Sequence, residues 1–447
     1  MNPLLIEKVV YPAYRALKRD RVLRYLEDAR KVACMEPDRI RDYQWQKLAR
    51  LLAHASAHVP YYRKLLKDVG AEPGDFRRIE DLAGLPILRK RHFRDHAKDL
   101  VSDVCPAARL TPGSTSGSTG ESLYFRYDAA SSESRRASHI HMNQWLGIRI
   151  GEKTAYLWGT AFDVARSKRL VGSLRSYLSN TMVLSAYKMD AATIEAYSAA
   201  LARFKPKVFV SYPSFLVHFS RSFADRGRPE FSPPVILVSG ETLFDWQRDA
   251  IERAFGTTVY NHYGCCEFGA MARECRARKG LHLASERLLV ETVPVGKSAA
   301  GDEVAELVIT DLDNLGMPFI RYAIEDVGTI TWDRCECGLT LPRLESALGR
   351  TLDVVRAPNG NFIGGTFWTI LLKRAKGIER LQVVQERLDA ITVRLEATAE
   401  FSDEDRSYVL GKIREACGPE MHVTLDLGGR IEMPAGGKHR LVISRIA

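Results

Sequence analysis

The chain has 447 residues, of which 45% are hydrophobic and 27% are charged. That length can bury a sizeable core and should divide into two or more domains, and the composition is ordinary for a soluble globular protein. The net charge is +10, but basic and acidic residues are interleaved and no nucleic-acid-binding motif appears, so we expect no nucleic-acid partner.

No apolar stretch approaches the roughly 18–20 residues that are needed to cross a bilayer. The first residues also lack the apolar core and the cleavage site of a signal peptide. We therefore expect a cytoplasmic protein without a membrane span. The sequence leaves the oligomeric state open, with a homodimer as one option.

The first hundred residues are expected to be mostly helical. Residues 43–55 place apolar side chains at helical spacing, and Pro60 and Pro86 interrupt the pattern.

Residues 111–120 combine three glycines with a series of serine and threonine hydroxyls. Glycine lets a backbone approach a ligand closely, and hydroxyl and N–H groups donate hydrogen bonds to phosphate oxygens. A flexible linker is the alternative, but a predicted strand at 123–127 follows at once. Glu121 and Ser122 stand where a Walker A loop would have its lysine and hydroxyl. The run therefore indicates nucleotide binding outside the P-loop class.

From about residue 150 short apolar runs alternate with helical segments, which predicts parallel βαβ units. The predicted strands cover residues 154–158, 207–211, 234–239 and 257–260. Ligands of such sheets bind beyond the carboxyl ends of the strands. The loops at 211–213, 239–241 and 261–264 are therefore candidate site segments.

A domain boundary is predicted near Gly349 and Arg350. The chain beyond it has strand-like runs and one amphipathic helix at 403–417. The fold class is α/β, with a large N-terminal domain at 1–348 that has a helical N-terminal segment. A small, mobile α+β domain at 349–447 follows it.

A possible metal site comprises Cys275, His282, Cys335 and Cys337. Three thiols and one imidazole satisfy a closed tetrahedral structural zinc site. The spacings are not those of a zinc finger, and four unrelated residues are the alternative. Cys265 and Cys266 could compete as ligands.

Four further motifs follow the Gly/Ser/Thr run in order, at 263–267, 321–326, 349–350 and 436–438. This ordered set resembles the adenylate-forming (ANL) superfamily, and within it the branch of phenylacetate–CoA ligase and CapK-type proteins. The resemblance covers nearly the whole chain. Two departures are Glu121-Ser122 after the loop and Ile324 and Glu325 before Asp326.

The resemblance implies a set of ATP-binding residues. The loop that would cradle the phosphates consists of Ser116, Gly117, Ser118, Thr119 and Gly120. Tyr263 would lie against the adenine, Asn261 would offer it a hydrogen bond, and Asp326 would bind the ribose hydroxyls. Glu241 is a further cofactor-binding candidate.

The same resemblance implies the catalytic residues. Glu267 would hold Mg²⁺, Arg350 would lie near the ribose and phosphate, and Lys438 would reach the α-phosphate and the attacking carboxylate. The small domain would swing about residues 350–353 to bring Lys438 in and to withdraw it.

The carboxylic acid pocket would be drawn from the strand-end residues, whose aromatic members suggest an aryl acid. Its candidates are Trp158, Gly159, Tyr212, Ser239, Gly240 and His262.

The implied activity is ATP- and Mg²⁺-dependent formation of an acyl-adenylate, followed by transfer to coenzyme A. A ligase that joins the acyl group to an amine or hydroxyl acceptor, in natural-product or polysaccharide synthesis, is the alternative. A zinc-containing nucleic-acid-binding or scaffold protein is a more distant one, and it would not need Lys438.

Overall fold

The computed structural model describes residues 2–115, 123–158, 180–185, 191–221, 229, 231–298, 303–350, 355–359, 361–363, 367–368, 371, 375, 377–428, 431 and 441–446. Within these ranges no helix has both the length and the hydropathy of a bilayer-spanning segment.

The helices concentrate in the first hundred residues and between the strands of the central sheet. They are α1 (Pro3–Leu5), α2 (Tyr11–Lys18), α3 (Val22–Val32), α4 (Pro37–His58), α5 (Pro60–Asp68), α6 (Lys90–Asp95), α7 (Ala129–Trp145), α8 (Ala191–Phe204), α9 (Pro213–Arg221), α10 (Asp245–Phe255) and α11 (Asp403–Cys417). A π-helical turn at Ile6–Val10 joins α1 to α2, and 3₁₀ turns lie at Pro73–Asp75, Ile79–Gly84 and Ala107–Arg109.

The strands follow from residue 111 onward. They are β1 (Thr111–Ser114), β2 (Tyr124–Tyr127), β3 (Thr154–Trp158), β4 (Thr181–Ser185), β5 (Val208–Ser211), β6 (Val235–Ser239), β7 (Val259–Cys265), β8 (Gly269–Glu274), β9 (Leu281–Leu283), β10 (Leu288–Ser298), β11 (Glu303–Asp311), β12 (Tyr322–Thr331), β13 (Arg343–Arg350), β14 (Val355–Arg356), β15 (Asn361–Ile363), β16 (Ile378–Arg387), β17 (Ala390–Ala397), β18 (His422–Asp426) and β19 (Val442–Ser444).

The predicted helical N-terminal region is confirmed. Helix α4 begins with Pro37 at its first turn, where the missing N–H costs no hydrogen bond. Its buried face includes Ile40, Leu48 and Leu52, and Gln44 donates to the carbonyls of Ser285 and Leu288. These contacts fix the helix against the turn between β9 and β10 and against the start of β10.

The large sheet contains thirteen of the described strands, in the order β14-β15-β10-β11-β12-β13-β9-β8-β7-β6-β5-β3-β4. Strands β3 to β7 form a parallel half, in which β3 pairs with β4 and β5, and β6 lies between β5 and β7. Helices α8, α9 and α10 connect these strands, so the predicted βαβ units are confirmed. The strands from β8 to β13 pair antiparallel, and together the elements make the mixed α/β fold that was expected.

Strand β7 is longer than the sequence predicted. It runs from Val259 to Cys265, so the expected loop at 261–264 is strand. Gly264 explains the extension, because a Cβ there would collide with the carbonyl oxygen of Gly269 on the paired strand β8. A glycine that looked like a turn residue instead permits a close antiparallel approach.

The start of the Gly/Ser/Thr run also differs from the expectation. Thr111–Ser114 is strand β1, which pairs antiparallel with β2. The first four residues of the run therefore form a strand, and only the residues after Ser114 connect β1 to β2. The predicted phosphate loop at 116–120 lies outside the described residues.

A second sheet of four strands, in the order β18-β17-β16-β19, forms near the C-terminus. The strands and helix α11 predicted there are all present, and they share a core that includes Leu381, Val393, Val409 and Ile413. The hairpin of β14 and β15 pairs instead with β10 of the large sheet. The division at residues 348 and 349 stays a prediction.

Candidate functional site

The predicted nucleotide residues Tyr263 and Asp326 are in contact. The Tyr263 hydroxyl donates a hydrogen bond of 2.5 Å to Asp326 Oδ2. Tyr263 lies on β7 and Asp326 on β12, 63 residues apart in the chain. The pair forms because the chain turns back through the antiparallel half of the sheet, and it places an aromatic ring beside a carboxylate.

Glu267 lies close to this pair in a buried position. Its side chain is 5% exposed, and the Tyr322 hydroxyl donates to Glu267 Oε1 over 3.4 Å. Burial raises the pKa of the Cys265 thiol, and the charges of Glu267 and Asp326 raise it further. Glu267 and Asp326 therefore both lie near enough to influence the same thiol, which places the two carboxylates in one region.

Arg350 stands directly opposite Asp326 in the pairing of β12 with β13. This is a backbone register, and it brings together two residues that the sequence assigned to the ribose. The described backbone thus joins the motifs at 321–326 and 349–350.

Three of the predicted acid-pocket residues meet at the carboxyl ends of β3, β5 and β6. The rings of Trp158 and Tyr212 stack with centroids 4.0 Å apart and planes 13° apart. Gly240 follows β6 with φ of +80°, and a Cβ there would lie 2.8 Å from the Tyr212 ring. Glycine is required here by both the backbone conformation and the ring, so a flat aromatic wall borders the strand ends.

Ser239 and His262 continue this wall across the sheet, because they are cross-strand partners on β6 and β7. The backbone N–H of Asn261 donates to Glu274 over 2.7 Å. The Glu241 carboxylate accepts from the backbone N–H and the hydroxyl of Ser214. Glu241 therefore caps the start of α9 in this structure, while its cofactor role stays a prediction.

The sequence reading missed Arg273, which is the direct partner of His262 in the pairing of β7 with β8. Its side chain is fully buried. Its Nε donates to His262 Nδ1 over 3.1 Å, and its Nη1 donates to Asn143 Oδ1. The signal in the sequence is weak, since Arg273 directly follows the apolar run at 268–272 but is itself followed by the charged Glu274.

Helix α7 supplies the cover over Arg273. It begins after Asp128, whose carboxylate accepts from the Ser131 N–H over 2.8 Å and caps the helix. This start places His139 with its ring centroid 5.8 Å from that of His262. Burial lowers the pKa of His139 to about 3, and burial together with the Arg273 charge holds the pKa of His262 well below its usual range. Both imidazoles are therefore neutral near pH 7.

The four predicted metal ligands come together. The ligand atoms of Cys275, His282, Cys335 and Cys337 all lie within 4.8 Å of one another. The Sγ atoms of Cys275 and Cys335 are 3.7 Å apart, and Cys337 Sγ is 3.3 Å from His282 Nε2. His282 Nδ1 lies 2.9 Å from the Leu341 carbonyl, to which it can donate. That hydrogen bond leaves Nε2 with a free lone pair that faces the thiols.

Some predicted residues cannot be placed. Gly159, Lys438 and the loop at 116–120 lie outside the described residues. Cys265 and Cys266 are not in the cluster of four, and Cys265 instead lies 3.6 Å from the Met271 sulfur.

Comparison with known proteins identifies the relatives of this arrangement. Residues 355–445 match the CapK C-terminal domain family. A phenylacetate–coenzyme A ligase of Thermus thermophilus is 25% identical over 436 residues, which cover 91% of this chain and 96% of the relative. The protein CapK of Staphylococcus aureus is 22% identical over 424 residues, which cover 91% of this chain and 89% of that protein.

The fold has solved counterparts as well. A 2-hydroxyisobutyryl-CoA ligase in the postadenylation state, in complex with R3-HIB-AMP, superposes with a TM-score of 0.71 at 19% identity, over 93% of this chain and 91% of that chain. The protein is therefore a relative of the phenylacetate–CoA ligases and CapK, with the fold of adenylate-forming CoA ligases and a CapK-type C-terminal domain.

Proposed function

We propose that the protein is an AMP-forming acid ligase that activates an organic carboxylic acid with ATP and passes the acyl group to coenzyme A. The observation that carries this proposal is the contact between Tyr263 and Asp326, with Glu267 close by. A nucleoside site needs an aromatic ring to pack against the base and an acceptor for the ribose hydroxyls. The sequence motifs predicted a residue for each role. The named activity of the relatives supports the same reaction class.

The reaction has two steps. The acid's carboxylate oxygen attacks the α-phosphorus of ATP, the bond from phosphorus to the bridging oxygen breaks, and pyrophosphate leaves. The coenzyme A sulfur then attacks the acyl carbon, the thiol proton is lost, and AMP leaves. We expect Lys438 to neutralise the charge that develops in the first step, and Arg350 to support the phosphate side.

Glu267 fits the role of a magnesium ligand. A buried carboxylate next to a tyrosine hydroxyl offers oxygen donors only, and Mg²⁺ prefers oxygen ligands and phosphate oxygens. When bound, the ion would neutralise phosphate charge. Glu267 would orient the polyphosphate from its fixed position on the turn between β7 and β8.

The cysteine and histidine cluster fits a structural zinc ion. A zinc–sulfur bond of about 2.3 Å in tetrahedral geometry requires thiolates roughly 3.8 Å apart, and the measured separation of Cys275 and Cys335 is 3.7 Å. Burial lowers the pKa of His282 to about 4, so the imidazole is neutral and ready to bind a metal. Four protein ligands leave no open position, which favours a structural role.

The acid pocket would lie against the stacked rings of Trp158 and Tyr212, beside Gly240. A flat aromatic wall favours a planar acyl group, which supports an aryl acid. Since ATP and coenzyme A are cytoplasmic reactants, we place the reaction in the cytoplasm.

A second acceptor class is favoured by a separate observation. The C-terminal family match is to CapK, and the CapK relative aligns over most of its length. An amine or hydroxyl acceptor in polysaccharide or natural-product synthesis is therefore the alternative to coenzyme A.

One assay separates the two acceptors. The enzyme is supplied with ATP, Mg²⁺ and a panel of carboxylic acids, with and without coenzyme A, and products are identified by mass. We expect coenzyme A to speed pyrophosphate release over many turnovers and to yield a thioester. Acyl-adenylate that persists in excess coenzyme A would contradict this and favour the amine or hydroxyl acceptor.

A further inference from the structure

The charge of Arg273 has no acidic partner among the described residues. Its guanidinium is fully buried, and its Nη2 makes no hydrogen bond there. Its two partners, His262 Nδ1 and Asn143 Oδ1, are both uncharged acceptors. A buried cation without a counter-charge is costly, and buried charges in proteins are ordinarily paired.

The titratable side chains that the structure describes around Arg273 do not supply that counter-charge. The neighbouring titratable side chains, His139, His262 and Tyr156, are neutral because burial disfavours their ionised forms. The other fully buried arginine, Arg287, differs, because two backbone carbonyls accept from it and the Asp311 charge acts on it. Of the two fully buried arginines among the described residues, Arg273 is therefore the one without a nearby carboxylate.

The position of Arg273 links it to the proposed acid pocket. Paired strands carry Ser239, His262 and Arg273 next to one another across β6, β7 and β8. Cross-strand partners point to the same face of a sheet. Arg273 therefore continues the row that begins at the aromatic wall, directly beside the partly exposed His262.

We propose that Arg273 determines substrate specificity by binding a second carboxylate at the far end of the acid, so that the substrate is a dicarboxylic acid activated at one end. The inference rests on the proposed function, because it names the class of acid for that same pocket. The distal carboxylate accepts hydrogen bonds from the guanidinium, and its charge supplies the counter-ion that the described residues do not provide. Asn143 and His262 hold the guanidinium in place.

Matched acids test the proposal directly. Pyrophosphate release is measured with pairs that differ by one carboxylate, namely butyrate with succinate, pentanoate with glutarate, and benzoate with isophthalate. Calorimetry measures the binding of the same acids without turnover. A hydrogen bond to a charged group is worth roughly a ten- to hundredfold preference, and we expect the wild type to favour one diacid over its matched monoacid by that factor.

Three variants assign the preference to Arg273. Arg273→Met removes the charge and should abolish or reverse the preference, while Arg273→Lys restores the charge and should recover part of it. Asn143→Asp places a carboxylate against the guanidinium. It should also abolish the preference, because Arg273 is then still present but already paired with a carboxylate of the protein. ATP binding, measured by calorimetry, should stay within about twofold in all three, and this checks that each variant is folded.

The outcomes separate this proposal from the proposed function. Pyrophosphate release with monoacids only, or a diacid preference that survives in Arg273→Met and Asn143→Asp, would overturn the role of Arg273 and leave the ligase activity standing. If no acid releases pyrophosphate, the ligase activity fails. In that case diacid binding by the wild type but not by Arg273→Met still supports the anion site, and absence of diacid binding overturns it.

Discussion

Asp326 is the residue on which nucleotide affinity should depend. Asp326→Ala removes a charged acceptor of ribose hydroxyls, and each such hydrogen bond is worth about 1.5–3 kcal/mol. We expect ATP affinity to fall by roughly tenfold or more, measured by calorimetric titration. Tyr263→Phe is the matched control, because it removes only the hydroxyl that donates to Asp326 and should weaken ATP less. An unchanged affinity in Asp326→Ala would remove this residue from the nucleotide site.

Lys438 carries a second prediction, made from the sequence motif alone. Lys438→Ala should lower the rate of acyl-adenylate formation by about a hundredfold or more, because the lysine meets charge that develops in the transition state. Thioester formation from a pre-made acyl-adenylate should change little. Near-normal adenylation in the variant would refute the role given to the C-terminal residues.

Residue types that look ordinary in a sequence were the hardest to assign. The aspartate and tyrosine of the proposed nucleotide site could be named because they stand in ordered motifs. Arg273 could not, since its burial depends on helix α7 closing over β8. An arginine in a strand is usually exposed, and only the tertiary contact with Asn143 reveals the buried charge.

At the scale of elements, the cysteine and histidine cluster brings β9 and the end of β8 together with the segment before β13. Cys275 follows β8, His282 lies in β9, and Cys335 and Cys337 lie between β12 and β13. A bound metal would fix these segments to one another. Its removal should therefore loosen the antiparallel half of the large sheet.

The expected result is about one zinc ion per chain by metal analysis. Cys335→Ser combined with Cys337→Ser should lose the metal and lower the melting temperature, because metal binding is coupled to folding. Cys34→Ser is the control, because this cysteine is exposed and outside the cluster. Fully stable, zinc-free wild-type protein would contradict the zinc site and show that the four side chains are unrelated.

Strand β7 shows why element boundaries were harder to predict than element types. Residues 257–260 were predicted as strand from an apolar run, but the strand continues through polar residues to Cys265. Those residues are held in strand conformation because they pair with β8, which begins at Gly269, the partner of Cys265, after a tight turn. Pairing of this kind depends on the neighbouring strand, and the local pattern of β7 does not contain it.

For the whole molecule, the order of motifs along the chain was more informative than composition or periodicity. The parallel half of the large sheet and the C-terminal sheet followed from apolar runs separated by helices. The antiparallel half between β8 and β13 was not predicted, because its register depends on contacts between distant strands. That half brings Tyr263 to Asp326, so the site itself required the structure.

The central claim is that the protein adenylates a carboxylic acid, and exchange of labelled pyrophosphate into ATP tests it most directly. The exchange needs the reversible first step only, so it does not depend on the identity of the acceptor. We predict that label enters ATP when a carboxylic acid and Mg²⁺ are both present, and that Lys438→Ala lowers the rate at least about a hundredfold. Exchange that is independent of added acid, or absent with every acid in a broad panel of mono- and dicarboxylic acids, would contradict the account.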